Sequence, residues 1–461
     1  MIEEILSKEE GKSLEFKENT QSLQKIIQTV IAFANTAGGT MVLGIRDRTK
    51  EVVGLENILE EEERLANAIA DSIFPPVYPT FQMHTYRSKD LLLVTVPHSF
   101  APFYLKSKGI ENGTYVRFGS TNRIAPTSQV SEIQRLKAHQ YFDELPASEC
   151  SLEKIDFDLA RELFSQVSKK LTEDKAKSLG LLVQYQGKIF PTQGAVLLFS
   201  RSLSDFFPNS VIRLGRFSGT NKSHILDQQE VQIPLTLAEE AIVAFIYRHT
   251  NVGAEISSLR RKDVYQYPQA IVREAVLNAL LHADYSIRGM NIQVAIFDDR
   301  IEITNPGGLP FGLTLDQALS GISQLRNHVI GRIFRELKMV EQWGSGLGRM
   351  IDLCKQTGCK KPTFEEEGTF FRVTLYPAPI GAERKEIRAA LSAHFLLKQG
   401  WEDALLNYLE KEKKITPKVA QKLWNVTPRT TSSRLKKMCE EGQIAEISTG
   451  PFDPKKVFTA R

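Results

Sequence analysis

Three short segments constrain this chain more than any other part of it: Glu274-Ala-Val-Leu-Asn278, Asn305-Pro-Gly-Gly308 and Gly344-Ser-Gly-Leu-Gly348, in that order. Glu274 and Asn278 stand four apart, so a helix sets a carboxylate and an amide one turn apart on one face. Ala275, Val276, Leu277, Ala279, Leu280 and Leu281 turn the rest of that helix inward. Residues 300–310 alternate as a strand does and run into a turn that favours glycine. The third segment precedes Arg349-Met-Ile-Asp-Leu-Cys354, so bare backbone N–H groups open onto a helix start. Helix, strand and glycine loops in this order predict an α/β fold.

A carboxylate placed this way can take a proton from an attacking water, and an amide oxygen beside it can complete the shell of a hard Mg²⁺ ion. The glycine turn lets a flat base come close, and the helix start favours phosphate. Together the segments predict nucleotide binding and phosphoryl transfer. They resemble the Bergerat ATP-binding domain of the gyrase, MutL and histidine-kinase (GHKL) superfamily, in the divergent subgroup that follows a Schlafen AlbA-like domain in many bacterial proteins. The resemblance implies an α/β sandwich binding ATP with Mg²⁺, in which Glu274 is the general base of an ATPase and Asn278 the Mg²⁺ ligand. It further implies Asn305 as the adenine contact and the backbone of Gly307, Gly308, Gly344, Gly346 and Gly348 as the nucleotide cradle. Most of the superfamily has aspartate where this chain has Asn305. Its amide oxygen can still accept from the adenine amino group, so the change bears on turnover before it bears on binding. His282 fits a hydrogen-bonded structural residue, with a catalytic role as the alternative. Residues 311–343, with Ser320, Gly321, Arg326 and Asn327, form the candidate lid.

At the N-terminus, Glu10-Gly-Lys-Ser-Leu-Glu15-Phe-Lys17 leads into an apolar-spaced helix over 23–35. Thr36-Ala-Gly-Gly39 stops that helix, and 40–45 reads as a buried strand ending at Arg46-Asp47. Gly11-Lys12-Ser13 ends like a phosphate-binding loop, but Leu6 stands where that motif needs its first glycine. The run through Gly113-Thr-Tyr-Val-Arg-Phe-Gly119-Ser-Thr-Asn-Arg123 resembles a Schlafen AlbA-like domain, which implies nucleic-acid binding. Some Schlafen proteins are metal-dependent ribonucleases whose three acidic ligands fall on this pattern, here at Glu10, Glu15 and Asp47. The resemblance thus implies a Mg²⁺ or Mn²⁺ nuclease site. The residues themselves admit a structural alternative, in which Glu15 pairs with Lys17 at a strand edge and Glu10 is solvated.

The tail reads helix, tight turn and helix over 415–441, then two short strands at 443–447 and 456–459 that could form a wing joined through Gly450-Pro451. This resembles a winged helix-turn-helix. Its second helix would present Arg429, Thr430, Ser432, Ser433, Lys436 and Lys437 to a DNA groove, the basic residues reaching phosphates and the short polar ones fitting near base edges. A protein-docking winged helix with a solvated basic face is the alternative.

Length predicts about three or four domains, and we place them at 1–145 (Schlafen AlbA-like), 150–255 (an α/β connector), 256–378 (ATP-binding) and 385–461 (winged helix). Within the connector, 194–199 and 211–217 read as strands and 157–172 as helical. A net charge of +4 with 42% hydrophobic residues places the chain among ordinary globular proteins. No apolar stretch approaches the roughly 20 residues of a membrane span, and the start lacks a signal peptide, so a cytoplasmic protein is expected. Cys150, Cys354, Cys359 and Cys439 lack a paired framework, as expected of reduced thiols. The modules together predict an ATP-binding, DNA-binding transcriptional regulator. The alternative is an ATP-gated metal-dependent endonuclease, on RNA or DNA, in stress or phage defence. A homo-oligomer is implied by the resemblance alone.

Overall fold

The computed structural model describes residues 2–208, 210–250, 265–287, 289–340 and 346–378, and the backbone of 252–257 and 260–264. In the C-terminal part it describes 405–406, 408–409, 412–424, 426, 428–447 and 456–460. The chain is multidomain α/β and divides into two compact units. One comprises Met1–Val252, Tyr267–Leu353 and Lys361–Pro377; the other comprises Gly253–Gln266, Cys354–Lys360 and Ala378–Arg461.

The first unit opens with a four-stranded sheet in the order Leu14–Lys17, Gly39–Leu43, Lys89–Val96, Thr80–Tyr86. The first pair is parallel, which requires a crossover, and the helix Leu23–Thr36 supplies it. Ile26, Val30, Ile31 and Phe33 are fully buried in the core beneath this helix. Its stop is set by contact as well as conformation. Gly38 has φ +73°, and a Cβ there would lie 2.9 Å from Val96 O, while one at Gly39 would strike the Phe33 ring at 2.7 Å.

Further along this unit, six described strands form one sheet in the order Ile225–Val231, Ile212–Phe217, Gln293–Ile296, Ile301–Pro306, Phe370–Leu375, Thr363–Glu367. Ile212–Phe217 and Gln293–Ile296 are parallel neighbours, and the helices Leu235–Arg248 and Gln269–His282 lie between them in sequence. Backbone pairing therefore runs across residue 255. The segment 194–199, expected as a strand, is instead the helix Gln193–Phe199, with all of Gly194 to Phe199 buried. Thr192 caps it, its hydroxyl accepting the Ala195 N–H at 3.1 Å. A short unbroken apolar run carries no periodicity to separate a buried helix from a strand.

Asp143 ties this region to the helix His328–Glu336. Its wholly buried carboxylate accepts the N–H groups of His328 (3.0 Å), Val329 (2.6 Å) and Ile330 (3.0 Å), the donors a helix start leaves unpaired.

In the second unit, the helices Pro417–Trp424 and Pro428–Glu440 and the antiparallel strands Ile444–Ile447 and Val457–Ala460 enclose one core, with Leu405, Ala420, Leu435, Met438 and Phe458 at its centre. The first helix starts two residues later than the sequence pattern implies. Ile415 pairs with Phe458 through two backbone hydrogen bonds of 2.9 and 2.8 Å, and Pro417 takes the first helical position. Among the described residues no helix is long and apolar enough to cross a membrane.

Candidate functional site

The helix Gln269–His282 is buried nearly all round, with Ile271, Val272, Ala275, Val276, Leu277, Ala279, Leu280 and Leu281 in the core, and Glu274 and Asn278 are partly exposed one turn apart beside Leu277 and Leu281. Asn278 Nδ2 donates to Glu274 Oε1 at 3.2 Å, so the amide oxygen of Asn278 is left as an acceptor. Asn305 sits near the end of the sheet strand Ile301–Pro306 and is 3% exposed. Its Nδ2 turns back onto Pro306 O (3.2 Å) and Gly307 O (3.5 Å), which commits the donor end of the amide to the turn. Gly307 follows at φ +87°, where a Cβ would also meet Arg326 Nη1 at 2.6 Å. The helix Gly346–Thr357 begins against the first pair, since a Cβ on Gly346 would fall 2.6 Å from Glu274 Oε1.

These elements enclose a cavity of about 300 Å³ lined by Glu274, Asn278, Asn305, Gly308 and Gly346 together. All three sequence segments thus contribute to one space. Gly307 lies on a smaller neighbouring cavity, Gly348 is not part of the lining and a Cβ there would meet Leu319 O at 3.8 Å, and Gly344 lies outside the described residues. Leu309, Leu313, Ile322, Phe371 and Val373 supply apolar walls, and two cations, Arg335 and Arg349, complete the lining. Sequence reasoning missed both arginines as site residues. Arg349 stands directly after the last glycine of the third segment, a signal that was available; Arg335 is one polar position on an amphipathic helix, and nothing local singles it out. His282 also lines the cavity, and burial, aided by Arg326, pushes its imidazole down to about 4. It is neutral at physiological pH.

The acidic set is arranged differently. Leu14–Lys17 is an edge strand, and Glu15 on it is 6% exposed and paired with both Lys17 and Arg117. The Arg117 side chain, itself wholly buried, also donates to Gly11 O (3.0 Å), Leu14 O (3.3 Å) and Asn122 Oδ1 (2.9 Å). Glu10 is half-buried rather than solvated. It accepts the Phe16 N–H at 2.6 Å, and burial raises its carboxyl, with the charges of Glu15 and Asp47 adding to the rise. Asp47 is exposed. Among the described residues no group of three His, Cys, Asp or Glu is arranged to hold a metal ion. A carboxylate neutralised by two cations is a poor metal ligand, so the donor set as it stands does not fit Mg²⁺ or Mn²⁺.

On the helix Pro428–Glu440, Thr430, Ser432, Ser433, Lys436 and Lys437 are exposed, while Thr431, Leu435 and Met438 face the core. The Arg429 side chain lies outside the described residues. The exposed positions share the helix face away from the core, with Arg434 over the Trp424 ring at 5.6 Å.

Residues 10–126 match the family described as "Schlafen, AlbA_2", and residues 289–375 match "Putative ATP-dependent DNA helicase recG C-terminal". The second match holds Asn305, Gly307, Gly308, Gly346 and Gly348; Glu274 and Asn278 precede it. Among solved structures, the DIP2311 protein from Corynebacterium diphtheriae is similar over 100% of this chain and 96% of its own length, at 21% identity and a TM-score of 0.46. The N-terminal domain of a RecG-related protein from Nitrosomonas europaea is 28% identical over 27% of this chain and 90% of its own length, with a TM-score of 0.22. The two matches make residues 10–126 similar to an AlbA_2 domain and residues 289–375 similar to an ATPase-like domain.

Proposed function

We propose that the protein is a nucleic-acid-binding regulator whose state is set by ATP in the cavity between Glu274 and Asn305. The observation that carries this reading is the convergence of Glu274, Asn278, Asn305, Gly308 and Gly346 on one cavity that also holds two arginines. Asn305, with its donor end committed to the turn, offers Oδ1 to the amino group of a purine. Arg335 and Arg349 supply positive charge for phosphates in a space walled by apolar side chains, where charge pairs are weakly screened. Glu274 is placed to orient or deprotonate a water, and the Asn278 amide oxygen to hold Mg²⁺, which when bound would neutralise phosphate charge. DNA is the expected nucleic-acid partner, met by the helix Pro428–Glu440; the region similar to Schlafen AlbA_2 is a second nucleic-acid surface, for RNA or DNA. The acidic set supports this regulator over the nuclease alternative, because Glu15 is engaged by Arg117 and Lys17.

Calorimetric titration with an ATP analogue and Mg²⁺ tests the reading. Wild type is expected to bind, Asn305→Ala to bind at least about tenfold more weakly, the loss of about 1.4 kcal/mol that one buried hydrogen bond explains. Glu274→Gln is expected to bind like wild type while any ATP turnover is lost. Equal binding by wild type and Asn305→Ala would place the nucleotide elsewhere.

A further inference from the structure

The wall of the cavity formed by residues 308–325 is a strap fixed at both ends and exposed between them at Asp316, Gln317 and Ser320 to Ser323. Residues from the N-terminal part of the chain contribute to both anchors, together with Glu366 at one end and the His282 carbonyl at the other. At the leading end, Lys12 Nζ meets both carboxylate oxygens of Glu366, at 2.8 and 2.9 Å, and Glu366 Oε1 in turn accepts the Leu309 N–H at 2.9 Å. A Cβ on Gly308 would collide with the same carboxylate oxygen. Three residues on, Gly312 N–H donates to Thr36 O at 2.6 Å, and Phe311 is buried among Val116, Ala125, Val130 and Ile133. Gly312 has φ +91°, and a Cβ there would press the His98 ring at 2.8 Å. At the trailing end, Arg326 bonds Glu132 at 3.1 Å and the His282 carbonyl at 2.8 Å.

We infer that Lys12 is a positioning residue for the nucleotide cavity: through Glu366 it fixes the Gly308–Leu309 wall, and with Thr36 and Glu132 it makes the N-terminal region the anchor of the strap. A ligand that draws Lys12 or the end of the Leu23–Thr36 helix away releases the strap and changes nucleotide affinity. Reciprocally, nucleotide closing the strap changes affinity at the N-terminal region by the same factor. This rests on the nucleotide reading of the cavity for its affinity arm only.

The test uses the full chain as wild type, Lys12→Met, Lys12→Arg, Glu366→Gln and the double variant Lys12→Met/Glu366→Gln. Without nucleotide, hydrogen exchange over 308–313 is expected to speed up in Lys12→Met and Glu366→Gln, with exchange in the Leu23–Thr36 helix unchanged. Lys12→Arg should restore most of the protection, and the double variant should exchange no faster than either single one. Affinity for an ATP analogue should fall about 5-fold or more in Lys12→Met, Glu366→Gln and the double variant, and stay near wild type in Lys12→Arg. Unchanged exchange over 308–313, exchange raised equally throughout the N-terminal region, or effects that add in the double variant would overturn the inference. Absence of nucleotide binding by wild type would sink the nucleotide reading instead, and the exchange result would still decide whether Lys12 holds the strap.

Discussion

A methyl group at position 346 would sit 2.6 Å from Glu274 Oε1 and 2.9 Å from Asn278 Nδ2, closer than packed side chains approach. Gly346→Ala is therefore expected to push the first pair out of place and weaken ATP-analogue binding about tenfold or more, while the helix it starts is tolerant of alanine. Calorimetry beside thermal unfolding separates the two effects. Asp143 and His282 make opposite demands on pH. Burial pushes the Asp143 carboxyl up to about 6 from its ordinary 3.8, so its contribution to stability is full below 3.8 and is lost as pH rises through 6. Burial pushes His282 down from 6.5 to about 4, so its contribution is full above 6.5 and is lost as pH falls through 4. Each shift corresponds to about 3 kcal/mol, and between pH 4 and 6 the two nearly cancel. Asp143→Asn should make stability to urea fall more steeply on acidification from pH 6.5 to 4.5, whereas His282→Gln should make it rise. Parallel profiles for the two variants would refute the assignment. Glu15→Gln removes one charge from a buried pair and leaves Arg117 undercompensated, an expected loss of about 3 kcal/mol in urea unfolding.

Elements with a clear period were legible in the sequence. The helix Leu23–Thr36 falls within a residue of its expected bounds, and the strand Ile301–Pro306 lies inside the expected strand-and-turn segment 300–310, because apolar spacing and glycine stops act locally. The helix Gln193–Phe199 was not legible as a helix, since every residue from Gly194 to Phe199 is buried and only the Thr192 cap marks its start. The Glu274 and Asn278 pairing was readable because it lies within one helix. The links from Lys12 to Glu366 and from Glu132 to Arg326 were not, because 354 and 194 residues separate the partners and no pattern in one chain encodes such contacts. On the helix Pro428–Glu440, Lys436 and Lys437 lean toward Glu440 (3.7 Å) and Glu441 (3.5 Å), exposed pairs that contribute little and are readily given up to phosphate. Each of Lys436→Ala and Lys437→Ala should therefore reduce the slope of log affinity for duplex DNA against log salt by about 0.9. Fluorescence anisotropy across a salt series reads this directly, and unchanged slopes in both would point to the protein-docking alternative.

At the scale of the molecule, the AlbA_2-like region and the ATPase-like region lie in one compact unit and share hydrogen bonds, an ion pair and an apolar cluster. These contacts give a physical route by which nucleotide in the proposed cavity would restrain the N-terminal region, and the proposed regulation depends on that route. The most direct measurement is a closed cycle at fixed salt: affinity for duplex DNA and for structured RNA with and without saturating ATP analogue, and affinity for the analogue with and without each nucleic acid. Nucleotide is expected to shift at least one nucleic-acid affinity about 5-fold or more, and this nucleic acid to shift nucleotide affinity by the same factor. Analogue that binds in the cavity yet leaves every nucleic-acid affinity unchanged would contradict the proposed regulation.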